Sequence, residues 1–218
     1  MEIEIKDEHD QIIDISQIEI NEQNQAKKYI EENDIVLELG ARYGSVSCTI
    51  NSKLNNKSNQ VVVEPDQRVW EALEKNKTRN NCEFHIIKGF ISKQKMDLVN
   101  LHSYLNGYGS TFRKNINSTI PNFLLDNIIE KYNLTFNVLV ADCEGFLEIF
   151  LNENPRLYKE LRLIIFEADY PNKCNYKRIE NMLSGNNFKK FVKGHQNVWI
   201  KSTEEYQEVR PNPPQYKY

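Results

Sequence analysis

Two short stretches hold residues that could do chemistry. Asp142-Cys-Glu144-Gly145 follows one apolar run, and Glu167-Ala-Asp169-Tyr-Pro171 follows another. If both runs are strands, their four carboxylates stand at neighbouring strand ends. Clustered carboxylates repel one another, which raises the pKa of at least one or recruits a divalent cation such as Mg²⁺. Either outcome suits removal of a proton from a hydroxyl. A positioned base contributes roughly 10²–10⁴-fold, and a bound cation lowers the hydroxyl's own pKa. Asp142 and Glu144 are the candidate acid–base groups, and Asp142 with Asp169 the candidate metal ligands. Capping competes for these acids, because a helix N-terminus favours a carboxylate. His195, just before the last apolar run, is a third catalytic candidate. His85 sits within an apolar run and reads as a core or face residue.

A second constellation lies earlier. Residues 35–39 are followed by Gly40-Ala-Arg-Tyr-Gly44, and residues 61–63 by Glu64. Gly40 and Gly44 let the backbone pass close to a ligand. An acid at the end of the second strand can accept both ribose hydroxyls of an adenosine. The spacing is Gly-x-x-x-Gly with Arg42 inside it. A dinucleotide fingerprint needs a middle glycine for approach of a pyrophosphate, so a nicotinamide dehydrogenase is disfavoured.

These groups need a scaffold. Apolar, β-branched runs at residues 35–39, 61–63, 84–87, 136–141 and 163–166 alternate with helical periodicity, as around Ala72 and Leu73 or Phe146, Leu147, Phe150 and Leu151. Such alternation predicts an α/β protein with a doubly wound, mostly parallel sheet. A helix is expected from Pro121, burying Leu124, Leu125, Ile128 and Ile129; another buries Ile179, Met182 and Leu183 and ends at Gly185. Runs at 188–192 and 198–200 are too close for a parallel crossover and must be antiparallel. A sheet ending in a reversed strand favours the Rossmann-like class I methyltransferase fold over the dehydrogenase fold. Residues 1–32 read as an extension made of a hairpin and a polar helix, 33–202 as the catalytic domain, and 203–218 as a polar tail. An irregular stretch, 89–118, with His102, Tyr104, Tyr108, Ser110 and Thr111, is expected to shape the acceptor pocket.

The motifs together resemble the FkbM-type methyltransferases. Glu38-Leu-Gly40-Ala41-Arg-Tyr-Gly44 is similar to that family's Asp-Ile-Gly-Ala-Asn-Ile-Gly loop, and Glu64-Pro65-Asp66 matches its Glu-Pro-Asp. Val140-Ala-Asp142-Cys-Glu144-Gly145 resembles its Lys-Ile-Asp-Val-Glu-Gly signature, and Ile164-Ile-Phe-Glu167 its later apolar run ending in Glu. The likeness spans roughly residues 33–200. It implies S-adenosylmethionine as cofactor and O-methylation of a sugar, glycan or other small hydroxylated molecule. Gly40, Ala41 and Gly44 would line the methionine part, Glu64 would hold the ribose, and Asp142 and Glu144 would lie at the reacting centre. Glu38 stands where the family's loop carries Asp, Val140 where it carries Lys, and Arg42 where it carries Asn. A cation is unexpected beside a sulfonium, so Arg42 is expected to point outward or to bind an acidic substrate group.

Composition narrows the alternatives. A net charge of -3 over 218 residues gives no reason to expect a nucleic-acid partner. No apolar run is long enough to span a bilayer and the N-terminus does not read as a signal peptide. Four scattered cysteines form no CxxC pair, which fits a reducing, cytoplasmic setting. The tail's Pro213-Pro-Gln-Tyr216 resembles a WW-domain ligand, a weak match. The alternative from another class is a catalytically silent methyltransferase-like module that binds or scaffolds a partner, for which Val140 is the best support.

Overall fold

The computed structural model describes residues 3–100 and 110–202. The expectations placed on His102, Tyr104, Tyr108 and the 203–218 tail lie outside the described residues. In chain order the elements are β1 (Ile5–Lys6), β2 (Ile12–Ile13), α1 (Ile20–Tyr29), β3 (Val36–Leu39), α2 (Ser45–Lys53), β4 (Gln60–Glu64), α3 (Trp70–Arg79), β5 (His85–Lys88), β6 (Phe90–Ile91), β7 (Met96–Asn100), β8 (Ser110–Lys114), β9 (Asn122–Phe123), α4 (Leu125–Tyr132), β10 (Val138–Ala141), α5 (Leu147–Glu153), α6 (Leu157–Glu160), β11 (Leu163–Glu167), α7 (Tyr176–Gly185), β12 (Phe188–Val192) and β13 (Gln196–Lys201).

Seven strands form the main sheet in the order β12-β13-β11-β10-β3-β4-β5. The five strands from β11 to β5 are parallel, and β13 runs antiparallel to β11. Strand order reverses between β3 and β10, so a crevice opens beyond their carboxyl ends. Burial of both faces explains the all-apolar strands. Alternate residues divide between two sides. Val36, Val138, Val140 and Ile165 pack with Ala26 and Ile30 of the first helical segment and Val46 and Ile50 of α2. Leu37, Leu139, Ile164 and Phe166 pack with Phe150 of α5, Leu157 of α6 and Leu183 of α7.

The N-terminal residues are tied into this body. Ile5 is buried against α3 and its neighbours. Asn76 of α3 and Asn80, its C-cap, act as adaptors: their Oδ1 atoms accept from the Lys6 and Glu4 N–H groups, each at 3.0 Å, and their amides donate back to the same residues' carbonyls.

Three local expectations are corrected. Pro121 does not open a helix. Its carbonyl accepts from the Phe90 N–H at 2.9 Å, residues 122–123 pair with β6, and α4 starts at Leu125 with Leu124 left exposed. The stretch 89–118 is more regular than expected, since β7 and β8 form an antiparallel pair. Gly185 is the last residue of α7 and Asn186 its cap, while Met182 faces outward.

One contact fixes the geometry of the crevice. Gly40 leaves β3 at φ +89°, and a Cβ there would lie 1.7 Å from the Asp142 carbonyl oxygen. No side chain fits between the two strand ends. Gly40→Ala combines that clash with a left-handed backbone and should cost about 3 kcal/mol or more. A melt followed by circular dichroism should show Tm lowered by roughly 6–12 °C; an unchanged Tm would mean the two strand ends are not packed this way.

Candidate active site

A cleft opens at the carboxyl ends of β3, β4 and β10, enclosing about 760 Å³ including its mouth. Gly40, Glu64 and Asp142 form its floor, and Leu98, Thr111 and Phe112 of the β7–β8 pair line it from another side. The Thr111 hydroxyl donates to the Glu144 carbonyl at 3.1 Å, which joins the hairpin to the end of β10.

Glu64 is the best-defined group in the cleft. One carboxylate oxygen accepts from the Arg42 N–H and the other from the Asp66 N–H, each at 2.7 Å. Two backbone donors therefore hold it at the strand end, with its remaining acceptor capacity available to a ligand. Burial raises its pKa to about 7, against the pull of those two N–H groups and of Arg42.

The structure settles the direction of Arg42 against an outward-facing side chain. It is 8% exposed, and its Nη1 lies 2.8 Å from Asp66 Oδ2. The guanidinium also stacks over the Tyr43 ring at 4.7 Å. Arg42 lines the cleft and pairs with Asp66, a carboxylate it shares with Arg68.

Glu38, Ala41 and Gly44 lie away from the main cleft. Glu38 is buried beneath the turn, accepting from Ser47 Oγ at 2.8 Å and Gln60 Nε2 at 2.9 Å. Burial pushes it up to about 8, so at neutral pH it is largely protonated and braces α2 and β4. Glu38 and Ala41 line a smaller neighbouring cavity. Gly44 starts α2 with its Cα against Leu73.

Asp142, Glu144 and Asp169 come together, each offering an oxygen within 4.8 Å of the others. Tyr170 N–H and Tyr176 O–H both donate to Asp169 Oδ1, at 2.9 and 3.0 Å. Asp142 Oδ1 and Asp169 Oδ2 are buried without a hydrogen-bond partner. Burial first, then the Glu167 and Glu144 charges, raises Asp142 well above the usual carboxylate range. Oxygen ligands at 2.0–2.6 Å from a hard cation stand about this far apart, so the donor set fits Mg²⁺ or Ca²⁺. His195 is not in this group. It is exposed and pairs with Glu167, on the side of the smaller cavity.

Glu19 escaped sequence reasoning. It precedes α1 with φ 53°, lines both cavities and accepts from the Ser45 hydroxyl. Burial raises it to about 7. In the sequence it is one acid among many in a polar segment, and only the packing of α1 brings it to the crevice.

No protein-family profile matches the chain, and no curated protein does. Among solved structures the chain is similar to a precorrin-6y C5,15-methyltransferase from Geobacter metallireducens, with TM-score 0.50 and 10% identity over 85% of this chain and 88% of that one. It is also similar to a protein of the NADB-Rossmann superfamily from Streptococcus agalactiae, with TM-score 0.50 and 8% identity over 83% of this chain and 67% of that one. With the strand order described above, these likenesses give the chain a Rossmann-like class I methyltransferase fold. Among the described residues, no helix is long and apolar enough to cross a membrane.

Glu19, Glu38 and Glu64 keep their protons in the folded protein up to about pH 7, 8 and 7, against an ordinary value of 4.5. Between pH 4.5 and 8 the folded state thus binds more protons than the unfolded chain, and stability falls as pH rises through that window. Ligand-free melts from pH 5 to 8 should show a falling Tm, with a shallower slope in Glu38→Gln. A Tm that rises over this range would contradict the burial of these acids.

Proposed function

We propose that the protein is an S-adenosylmethionine-dependent O-methyltransferase acting on a hydroxyl of a sugar, glycan or other small molecule, similar to the FkbM type. The observation that carries the reading is Glu64, fixed by two backbone N–H groups at the end of β4, facing a cleft whose floor at Gly40 admits no side chain. Glu64 would accept the ribose hydroxyls, and the Gly40 turn would lie against the rest of the cofactor. S-adenosylmethionine supplies an electrophilic methyl group on sulfur. Asp142 or Glu144 would orient the acceptor hydroxyl and take its proton as the oxygen forms its new bond to carbon. Burial and the neighbouring Glu167 and Glu144 charges raise Asp142 well above the usual carboxylate range, which suits a base that must work near neutral pH. Mg²⁺ held by Asp142, Glu144 and Asp169 would lower the hydroxyl's pKa and relieve the repulsion among the three acids. The carboxylates lining the cleft, Glu19, Glu64, Asp66, Asp142 and Glu144, support a small-molecule or glycan partner over a nucleic acid. The FkbM likeness itself rests on the Glu-Pro-Asp and Asp-x-Glu-Gly motifs.

One observation favours the silent-module reading. Val140, where the FkbM pattern has Lys, is 5% exposed and packs in the core beside Val138 and Ile165. Binding of cofactor without transfer to any hydroxylated acceptor would select it.

Calorimetric titration with S-adenosylmethionine, S-adenosylhomocysteine and NAD tests the proposal. The two sulfur ligands should bind and NAD should not, and Glu64→Ala should weaken binding at least tenfold. Ribose donors favour ionised Glu64, so affinity should rise between pH 6 and 8, by at most about tenfold per pH unit. No binding of either sulfur ligand would overturn the reading. In a methyl-transfer assay, Asp142→Asn should lower kcat by about 10²–10⁴-fold, and any Mg²⁺ stimulation should vanish in Asp169→Asn.

A further inference from the structure

Arg42 and Asp66 are joined twice. Their backbone N–H groups donate to the two oxygens of the Glu64 carboxylate, each at 2.7 Å. Their side chains also meet, Arg42 Nη1 donating to Asp66 Oδ2 at 2.8 Å. These contacts close a ring from Arg42 through Glu64 to Asp66 and back. Every member is buried: Arg42 is 8% exposed, Glu64 5% and Asp66 4%. The ring also ties two strand ends together, since Arg42 follows β3 and Asp66 follows β4.

The Arg42 backbone needs such support. Its φ is 44°, in the left-handed region. That region is disfavoured for a residue with a Cβ, and Gly or Asn tolerates it better. The side chain is held on several sides. Nη2 donates to the Tyr43 hydroxyl at 3.2 Å, and the guanidinium lies over the Tyr43 ring. The Tyr43 O–H donates in turn to Glu8, in the turn between β1 and β2. Asp66 is anchored from its other side by Arg68, whose Nε and Nη2 both donate to its carboxylate.

We infer that the Arg42–Asp66 pair is a latch that positions Glu64 for the ribose of the cofactor, an inference that rests on the methyl-transfer reading. Arg42 and Asp66 are then positioning residues, acting through Glu64. A carboxylate that receives two hydroxyls must present its remaining lone pairs in a fixed direction. The two backbone donors fix that direction only while the two turns keep their spacing, and the buried ion pair keeps it. A site ordered in advance loses less freedom when the ligand arrives. Arg42 stands where the FkbM pattern carries Asn, which could not form this ion pair.

Calorimetric titration of the full chain with S-adenosylhomocysteine, from below to above the Glu64 value of about 7, tests the latch. Burial raises Glu64; against that, Arg42 favours its ionised form and Asp66 its protonated form. Glu19, Asp142 and Glu144 line the same cleft, and Lys88, beside Glu64 on β5, pairs with Glu74; all are common to every variant. Arg42→Gln should therefore move the rise in affinity to higher pH, and Asp66→Asn to lower pH. On the high-pH plateau, where Glu64 is ionised, both should bind about tenfold more weakly than the unsubstituted chain. The double variant should bind no more weakly than either single one, because the pair acts as a unit. Arg42→Lys, which keeps a cation for Asp66, should bind more tightly than Arg42→Gln. Lys75→Gln, from the exposed Glu71–Lys75 pair of α3, should bind as the unsubstituted chain does. Circular dichroism checks that each variant folds. Should a single variant unfold, Tyr43→Phe, which releases Nη2 but keeps the ring, should weaken binding about threefold with the pH profile unmoved; unweakened binding there overturns the latch. Unchanged plateau affinity in Arg42→Gln and Asp66→Asn, with Glu64→Ala weakened, overturns the latch and leaves the Glu64 seat standing. Losses that add in the double variant also overturn it, making the two residues independent contacts of the ligand. Failure of S-adenosylhomocysteine to bind the unsubstituted chain overturns the methyl-transfer reading, and this inference with it.

Discussion

β3 and β10 run parallel and in register, Leu39 beside Ala141, so their chains leave the sheet side by side at the point where strand order reverses. There the Gly40 Cα is pressed against the Asp142 carbonyl, with no room for a side chain. The turn that follows lays the Arg42 N–H against Glu64, and the strand that stops at Asp142 turns through Glu144 at φ 51° and Gly145 at φ 84° toward Asp169. A wider separation of the two strand ends would part the seat for an adenosine from the acids beside it. The site's geometry thus depends on a backbone contact more than on any one side chain.

That arrangement gathers acids in a poorly solvated space. Desolvation disfavours each charged form, and mutual repulsion adds to it. The protein offsets part of the cost locally. Arg42 folds onto Asp66, two N–H groups hold Glu64, and Ser47 and Gln60 hold Glu38. Asp142 Oδ1, Asp169 Oδ2 and Gln196 Oε1 are among the buried polar atoms left without a partner. Of these residues, Asp142 lines both cavities and Gln196 the smaller one.

Much of the scaffold was legible in the sequence because strands buried on both faces leave long apolar runs with no polar alternation. β3, β4, β5, β10 and β11 appear where those runs lie, and the short Gly194 connection required the antiparallel end. Asp142 was legible for the same reason, as the first polar residue after such a run, and Glu144 and Asp169 as acids two or three residues past a strand end. Pro121 misled because its lack of an N–H suits a helix start and a short strand alike, and the pairing with β6 is a long-range contact. Arg42 misled because its partner Asp66 is distant in the chain. Glu19, Glu22 and Gln196 had no signature at all, since only the docking of α1 against β13 places them at one cavity.

The central claim is that an adenosyl cofactor lies across the Gly40 turn and Glu64. Hydrogen–deuterium exchange with and without saturating S-adenosylhomocysteine tests it most directly. The account predicts slowed exchange in peptides spanning residues 40–45, 64–66 and 142–145, with the surface of α7 unaffected. Unchanged exchange at 40–45 and 64–66, or protection confined to another part of the chain, would contradict it.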